Sequence, residues 1–290
     1  MLAYTNPQIQ AAYDHCLEIV QGHYENFPVA SILLPKRLRQ PIAVIYAFAR
    51  SADDFADEGE ISEKERLQKL NDYESQLDNI ESVSEDNLIF TALRDVINQH
   101  QLPVQLFKDL LSAFKQDVTK HRYENFQQVL DYCARSANPV GRLLLHLLKE
   151  DSDKNLQYSD SICSSLQLIN FLQDISQDYQ ENNRIYLPLD EMQQYGVTES
   201  DISRQISGRE IRALIAHQIE RAKRMMLDGA DLGVAIKGRF GLQLRMMING
   251  GLQVCKLLEN NKENVFARPR LQTWDWASIA LNSIFRRTIQ

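Results

Sequence analysis

The sequence predicts an all-α protein, and three observations carry that reading. Apolar residues recur at intervals of three and four almost everywhere along the 290 residues, the spacing that lines one face of a helix. Alternation of β-branched with polar residues, the mark of a half-buried strand, is almost absent. The 8 Pro and 11 Gly are spread thinly, so no stretch reads as a linker and residues 1–290 are expected to form one domain, a helical bundle.

The periodicity places helices over roughly 8–22, 39–58, 62–80, 85–99, 103–119, 126–148, 158–180, 208–230, 239–260 and 274–286, joined mostly by short turns. After the first, Gly22 to Pro35 is too apolar for a solvated loop and reads as a packed connector that includes Phe27. The second carries Tyr46, Arg50, Asp53 and Asp57 on nearly one face, while Ile42, Ile45, Ala49, Ala52 and Ala56 fill much of the rest. Asp53 and Asp57 stand one turn apart, so both carboxylates can grip a hard divalent cation through oxygen. Arg50, one turn earlier, is suited to a phosphate oxygen. A solvated acidic face is the plainer alternative, but the run from Ile42 to Phe48 is too apolar for a surface helix.

Pro103 marks the start of the fifth helix. Within 126–148, Pro139 removes a backbone donor and deprives the carbonyl of Arg135 of its partner, so a kink or break is expected there. That kink either fits the bundle or turns the freed carbonyl and Asn138 toward a cavity. In 158–180, Asn170, Asp174 and Asp178 follow one another at four-residue steps, which drift by only about 40° each around a helix. Leu166, Leu168, Ile169, Phe171, Leu172 and Ile175 surround them, so the helix should be buried. Carboxylates in such a place cost several kcal/mol unless paired or bound to metal. Divalent cations are the expected partners, and salt bridges to Arg or Lys are the rival. Facing each other across a cavity, the two acidic motifs would clamp several Mg²⁺ ions, with Mn²⁺ as a substitute, and the diphosphate those ions bridge.

Arg184 follows the second motif in a segment ending at Pro188, which is expected to be a mobile loop able to close over the site. Gly250-Gly251 inside a later helix signals close packing or a local bend. Thr273 sits near the start of the last helix, where Trp274, Trp276 and the closing Arg286-Arg287 describe an amphipathic element that either docks on the bundle or dips into a bilayer.

Composition narrows the function classes. An apolar fraction of 44% is ample for a core, and 24% charged residues are those of a folded globule. A net charge of -7 with no basic run excludes a nucleic-acid partner. Cys16, Cys133, Cys163 and Cys255 lie singly, without a C-x-x-C pair or a leading apolar segment, which points to a reduced, cytoplasmic setting with peripheral contact at the inner membrane face left open. No histidine spacing suits zinc.

Tyr46 to Asp57, Tyr132 to Gly141, Asn170 to Asp178 and Arg184-Ile-Tyr-Leu-Pro188 together resemble the squalene and phytoene synthases, over nearly the whole chain. A finer likeness is to the bacterial hydroxysqualene synthase branch of squalene and hopanoid formation, through Glu25 to Ala30, Ser136 to Gly141, Asn249 to Leu252 and Arg268 to Leu271. The resemblance implies a trans-isoprenyl diphosphate synthase bundle with a central apolar cavity. It implies Mg²⁺ on Asp53, Asp57, Asn170, Asp174 and Asp178, diphosphate on Arg50 and Arg184, and an isoprenoid against Phe27, Tyr46, Phe48, Tyr132 and Gln173. The implied reaction turns presqualene diphosphate and water into hydroxysqualene and diphosphate, with Asn138 placing the water. A presqualene diphosphate synthase would supply the substrate and a reductase would take the product. Most relatives carry Ala-Gly where this chain has Ala137-Asn138-Pro139, which speaks against the ordinary condensation of two farnesyl diphosphates to presqualene diphosphate, squalene or phytoene. No nicotinamide cofactor is expected, since no G-x-G-x-x-G fingerprint follows a strand. A non-catalytic scaffold is the alternative of another class, opposed by the presence of all five acidic-motif ligands.

Overall fold

The computed structural model describes residues 7–22, 34–261 and 263–285, and every regular element among them is helical. The expected all-α class is what is found. Phe27 and the segment from Glu25 to Ala30 lie outside the described residues. The chain divides into two compact units, Met1–Thr119 with Arg142–Asp151, and Lys120–Gly141 with Ser152–Gln290.

The first unit is built on α1 (Pro7–Gly22), α2 (Lys36–Asp57), α3 (Glu63–Asp78), α4 (Leu88–His100) and α5 (Val104–Thr119). Local chemistry fixes the ends: Ser62 and Glu65 form a capping box that starts α3, and the Asn87 side chain accepts from Phe90 N–H to start α4. α2 is held by Phe48, which is fully buried and stacks on Tyr73 at 5.0 Å while Phe90 and Phe107 meet it edge-on at 6.0 and 5.3 Å. Phe48 therefore contributes to the core shared by α2, α3, α4 and α5, with the rings of Tyr73, Phe90 and Phe107 against it.

The second unit contains α6 (Phe126–Ser136), the first turn of α7 (Asn138–Leu148), α8 (Asp153–Gln173), α9 (Ile175–Asn182), α10 (Leu189–Tyr195), α11 (Glu199–Ser203), α12 (Arg209–Gly229), α13 (Leu232–Ala235), α14 (Gly238–Asn260) and α15 (Thr273–Ile284). α8 and α12 pack closely enough for Ser165 Oγ to donate to the carbonyl of Ala222 at 2.7 Å. A side chain at Gly229 would meet the Tyr158 carbonyl oxygen at 2.5 Å, so only glycine allows that approach. Gly251 lies against Met226, Ile169 and Leu166, whereas Gly250 faces open space; of the two readings of the glycine pair, close packing holds at Gly251.

Two breaks bear on function. The expected break before Pro139 falls at Ala137, which separates α6 from α7. The expected single helix over 158–180 is instead two, because Asp174 leaves helical geometry with φ -110 and ψ 12. The backbone ladder still crosses this joint: Asp174 N–H donates to Asn170 O at 3.0 Å and Asp178 N–H to Asp174 O at 2.8 Å.

Candidate functional site

The first acidic motif closes α2 in the first unit. Arg50 sits between its carboxylates, 3.4 Å from Asp53, 2.6 Å from Asp54 and 2.6 Å from Glu58. Arg66, reaching from α3, donates to the carbonyls of Ala56, Glu58 and Gly59 and so satisfies the end of α2 just where the motif stops. Neither Asp54 nor Arg66 was expected at this site, although the adjacent Asp-Asp pair was a signal for the first. Tyr46 is half-buried on the same stripe; burial raises its phenol pKa, the Arg50 charge lowers it, and Asp53 and Asp54 raise it again. Asp57 is exposed.

The second motif straddles the joint of α8 and α9 in the second unit, with Asn170 before it, Asp174 in it and Asp178 after it. Asn170 is exposed and both aspartates are half-buried, so the expected burial of all three ligands is corrected: the apolar neighbours Leu168, Ile169, Phe171 and Leu172 turn inward and the polar stripe does not. Arg268 Nε lies 2.9 Å from Asp174 Oδ1, while Gln173 Nε2 donates to the Pro269 carbonyl at 3.2 Å. These two contacts tie the segment before α15 to the joint. Asp174 Oδ1 is buried and takes no well-aligned hydrogen bond, so the Arg268 charge alone compensates it. Burial pushes the Asp174 carboxyl above its ordinary pKa, Arg268 opposes the shift and Glu181 adds to it.

Arg184 is 6% exposed, which corrects the expectation of a mobile loop. Its backbone N–H donates to Asp178 O at 3.0 Å and its guanidinium to Tyr186 Oη at 3.2 Å. The segment that follows is pinned to 121–124: Ile185 N–H donates to His121 O and Leu189 N–H to Tyr123 O, each at 2.9 Å. Tyr186 stacks flat on Phe171 with ring centres 3.6 Å apart, and Tyr132 and Tyr123 complete the aromatic group. Asp178, Arg184, Phe171, Tyr186, Leu172 and Gln218 share the wall of one pocket. Of these, Phe171, Tyr186, Leu172 and Gln218 were not expected as site residues. Asn138 is buried at the start of α7, where its Oδ1 accepts from Ser164 Oγ at 2.8 Å.

Among the described residues no group of three or more His, Cys, Asp or Glu side chains is gathered as a ready metal cage. The donor set nevertheless suits a hard cation: each motif offers carboxylate oxygens, and Asp174 Oδ1 keeps lone pairs that no hydrogen bond occupies.

The sequence profile of squalene/phytoene synthases matches residues 20–276. Hydroxysqualene synthase of Zymomonas mobilis is 40% identical over 232 residues, 78% of this chain and 76% of that protein. Hydroxysqualene synthase of Rhodopseudomonas palustris is 34% identical over 249 residues, 84% of each. The crystal structure of squalene synthase HpnC from Alicyclobacillus acidocaldarius is similar with a TM-score of 0.83 and 31% identity, covering 90% of this chain and 97% of that one. Two acidic motifs on a helical scaffold and a match across most of the sequence agree: the protein is an isoprenoid synthase, and the chain belongs to the squalene/phytoene synthase family.

Proposed function

We propose that this synthase converts presqualene diphosphate and water into hydroxysqualene and diphosphate, using Mg²⁺. The observation that carries the reading is the 40% identity to a protein named hydroxysqualene synthase over most of both chains. The two compact units would together serve as one synthase domain, as the profile match from 20 to 276 supports. Asp53, Asp57, Asn170, Asp174 and Asp178 are the proposed metal ligands, and the metal would supply Lewis-acid stabilisation of the departing diphosphate, with Mn²⁺ able to substitute. Arg50 and Arg184 are the proposed partners of phosphate oxygens.

In this reaction the carbon–oxygen bond breaks and diphosphate leaves with the electron pair. The cyclopropylcarbinyl cation then opens and rearranges, water oxygen bonds to carbon, and one proton is lost. The protein must keep water away until rearrangement is complete. Tyr46, Tyr132 and Gln173, with Phe27, are the proposed walls for the isoprenoid; an aromatic face that meets the cation stabilises it by about 0.5–2 kcal/mol. Asn138 is the proposed water-positioning group: with Oδ1 engaged by Ser164, its amide N–H groups are the ones left to hold a water oxygen. A synthase making presqualene diphosphate would precede this step and a reductase would follow, in the cytoplasm.

A second reading, condensation of two farnesyl diphosphates, is favoured by the likeness to a structure described as a squalene synthase. Purified protein with Mg²⁺ is given presqualene diphosphate or farnesyl diphosphate, each with and without a nicotinamide cofactor, and the lipid product is identified. Hydroxysqualene from presqualene diphosphate alone is the expected result. Products formed only from farnesyl diphosphate would move the assignment to the second reading. Asn138→Ala is expected to reduce the alcohol in favour of other products; an unchanged product profile removes Asn138 from the water-placing role.

A further inference from the structure

α15 is amphipathic in the wrong sense for a helix that ends in water. Its polar side faces the protein: Asp275 and Ser283 are buried beside Ile279, Asp275 accepts from Gln253 Nε2 at 2.7 Å, and Ser283 accepts from Asn249 Nδ2 at 3.0 Å and, through its carbonyl, from Arg245 Nε at 2.7 Å. Its apolar side faces outward, with Trp274 74%, Leu281 58% and Phe285 66% exposed and Trp276 and Ile284 also open to solvent. Asp275 is the only charged residue of the helix and it is spent on the inner face. Docking on the protein and exposing an apolar surface are thus both true of α15. A face of this kind marks an interaction surface rather than a solvated one.

The charge around the helix indicates what covers that face. The chain as a whole is acidic at -7, yet from Arg268 to the end four arginines stand against the single Asp275. Arg270, exposed, and Arg268, half exposed and paired with Asp174, precede α15, and the sequence continues past Phe285 with Arg286 and Arg287. α15 runs antiparallel to α14, since Asp275 meets Gln253 and Ser283 meets Arg245. Exposed Lys237 and Arg239 at the start of α14 therefore lie toward the C-terminal end of α15. Tryptophan at one end of the helix, Leu281, Ile284 and Phe285 toward the other, and cations beyond both ends match a lipid interface with anionic headgroups.

We propose that the outward face of α15 is a monotopic docking surface for an anionic lipid bilayer, into which Trp274, Trp276, Leu281, Ile284 and Phe285 partition while the neighbouring cations meet the headgroups. No described helix is long and apolar enough to cross a membrane, so the contact is peripheral. It does not depend on the reaction proposed above, and its test involves no turnover.

Trp274 and Trp276 are the only two tryptophans in the chain, so intrinsic fluorescence reports on this helix alone. The full chain is mixed with vesicles of phosphatidylcholine, with or without phosphatidylglycerol, and followed by tryptophan emission and sedimentation. Emission should move to the blue and protein should sediment with the anionic vesicles. Leu281→Gln/Ile284→Gln/Phe285→Gln, which keeps both reporters and alters only exposed positions, should bind at least about tenfold more weakly, equivalent to about 1.4 kcal/mol of lost apolar transfer. Lys237→Gln/Arg239→Gln should lose binding to anionic vesicles specifically. Unchanged emission, equal binding by the triple variant, or binding indifferent to phosphatidylglycerol each overturns the proposal. A blue shift that tracks protein concentration without lipid would assign the face to a second copy and overturn it as well.

Discussion

Arg268 Nε stands 2.9 Å from Asp174 Oδ1, so the carboxylate at the joint of the second acidic motif has a cationic side chain as its partner. The salt-bridge rival to metal binding is therefore realised at this residue, and a metal ligand at Asp174 must exchange one positive partner for another. Arg268 is half open to solvent, which limits the pair to at most about 1 kcal/mol. Arg268→Gln is accordingly expected to tighten Mg²⁺ or Mn²⁺ binding to the substrate-free enzyme by up to about fivefold. Calorimetric titration measures this; weaker metal binding in the variant would show that Arg268 does not compete for Asp174.

Removing the carboxylates tests the motif itself. Asp174→Asn and Asp178→Asn should each lower diphosphate release by about 10²–10³-fold, the scale for loss of one group that stabilises a developing anion. Helicity by circular dichroism should stay at the parent level, because the joint is held by backbone bonds through Asn170 O and Asp174 O. Full activity in either variant would exclude that side chain from the metal site.

Gly229 and Gly250 should respond oppositely to alanine. At Gly229 the new methyl meets Tyr158 O at 2.5 Å and Ile162 N at 3.2 Å, backbone atoms that cannot step aside without moving α8. A loss of about 1–3 kcal/mol is expected there. Nothing lies within 4 Å of a methyl at Gly250 in mid-α14, so Gly250→Ala should gain about 0.5–1 kcal/mol from helix propensity. Urea denaturation of the two variants beside the parent decides both signs.

Stability toward acid should depend on Glu191 at the start of α10. Burial pushes its carboxyl up, but hydrogen bonds from Arg221 and Gln218 and the charges of Arg221 and His217 outweigh that and hold it below the ordinary range. A carboxylate depressed in the folded state contributes stability that is present above its unfolded pKa and lost as pH falls through the folded one. Glu191→Gln should therefore lower the melting temperature at neutral pH, with the gap to the parent closing below about pH 4. A gap that persists unchanged into acid would assign the loss to packing around Arg221 rather than to charge.

The long helices and both acidic motifs were legible because twenty-residue apolar periodicity and a four-residue Asp spacing are local signals. The break at Pro139 was legible for the same reason, since proline announces it. The joint at Asp174 was not: Asp174-Ile175-Ser176 contains neither proline nor glycine, and the apolar period runs straight through it. Helices α10, α11 and α13, of seven, five and four residues, are too short to show a period. The segment of Arg184 reads as a mobile loop because its anchors are distant in sequence, the carbonyls of His121 and Tyr123 that fix it and the Phe171 ring under Tyr186. The pairing of Asp174 with Arg268 had one faint precursor, the Arg268-Pro-Arg-Leu271 likeness, which carried no indication of its partner.

Asp174 belongs to neither α8 nor α9, with backbone angles in the sparsely used region between sheet and helix, while the bonds on either side of it stay closed. Its carboxylate can swivel from Arg268 toward another ligand by side-chain rotation alone, and no helical turn has to unravel. The swap of partners at this corner should therefore leave both helices and the backbone ladder between them intact.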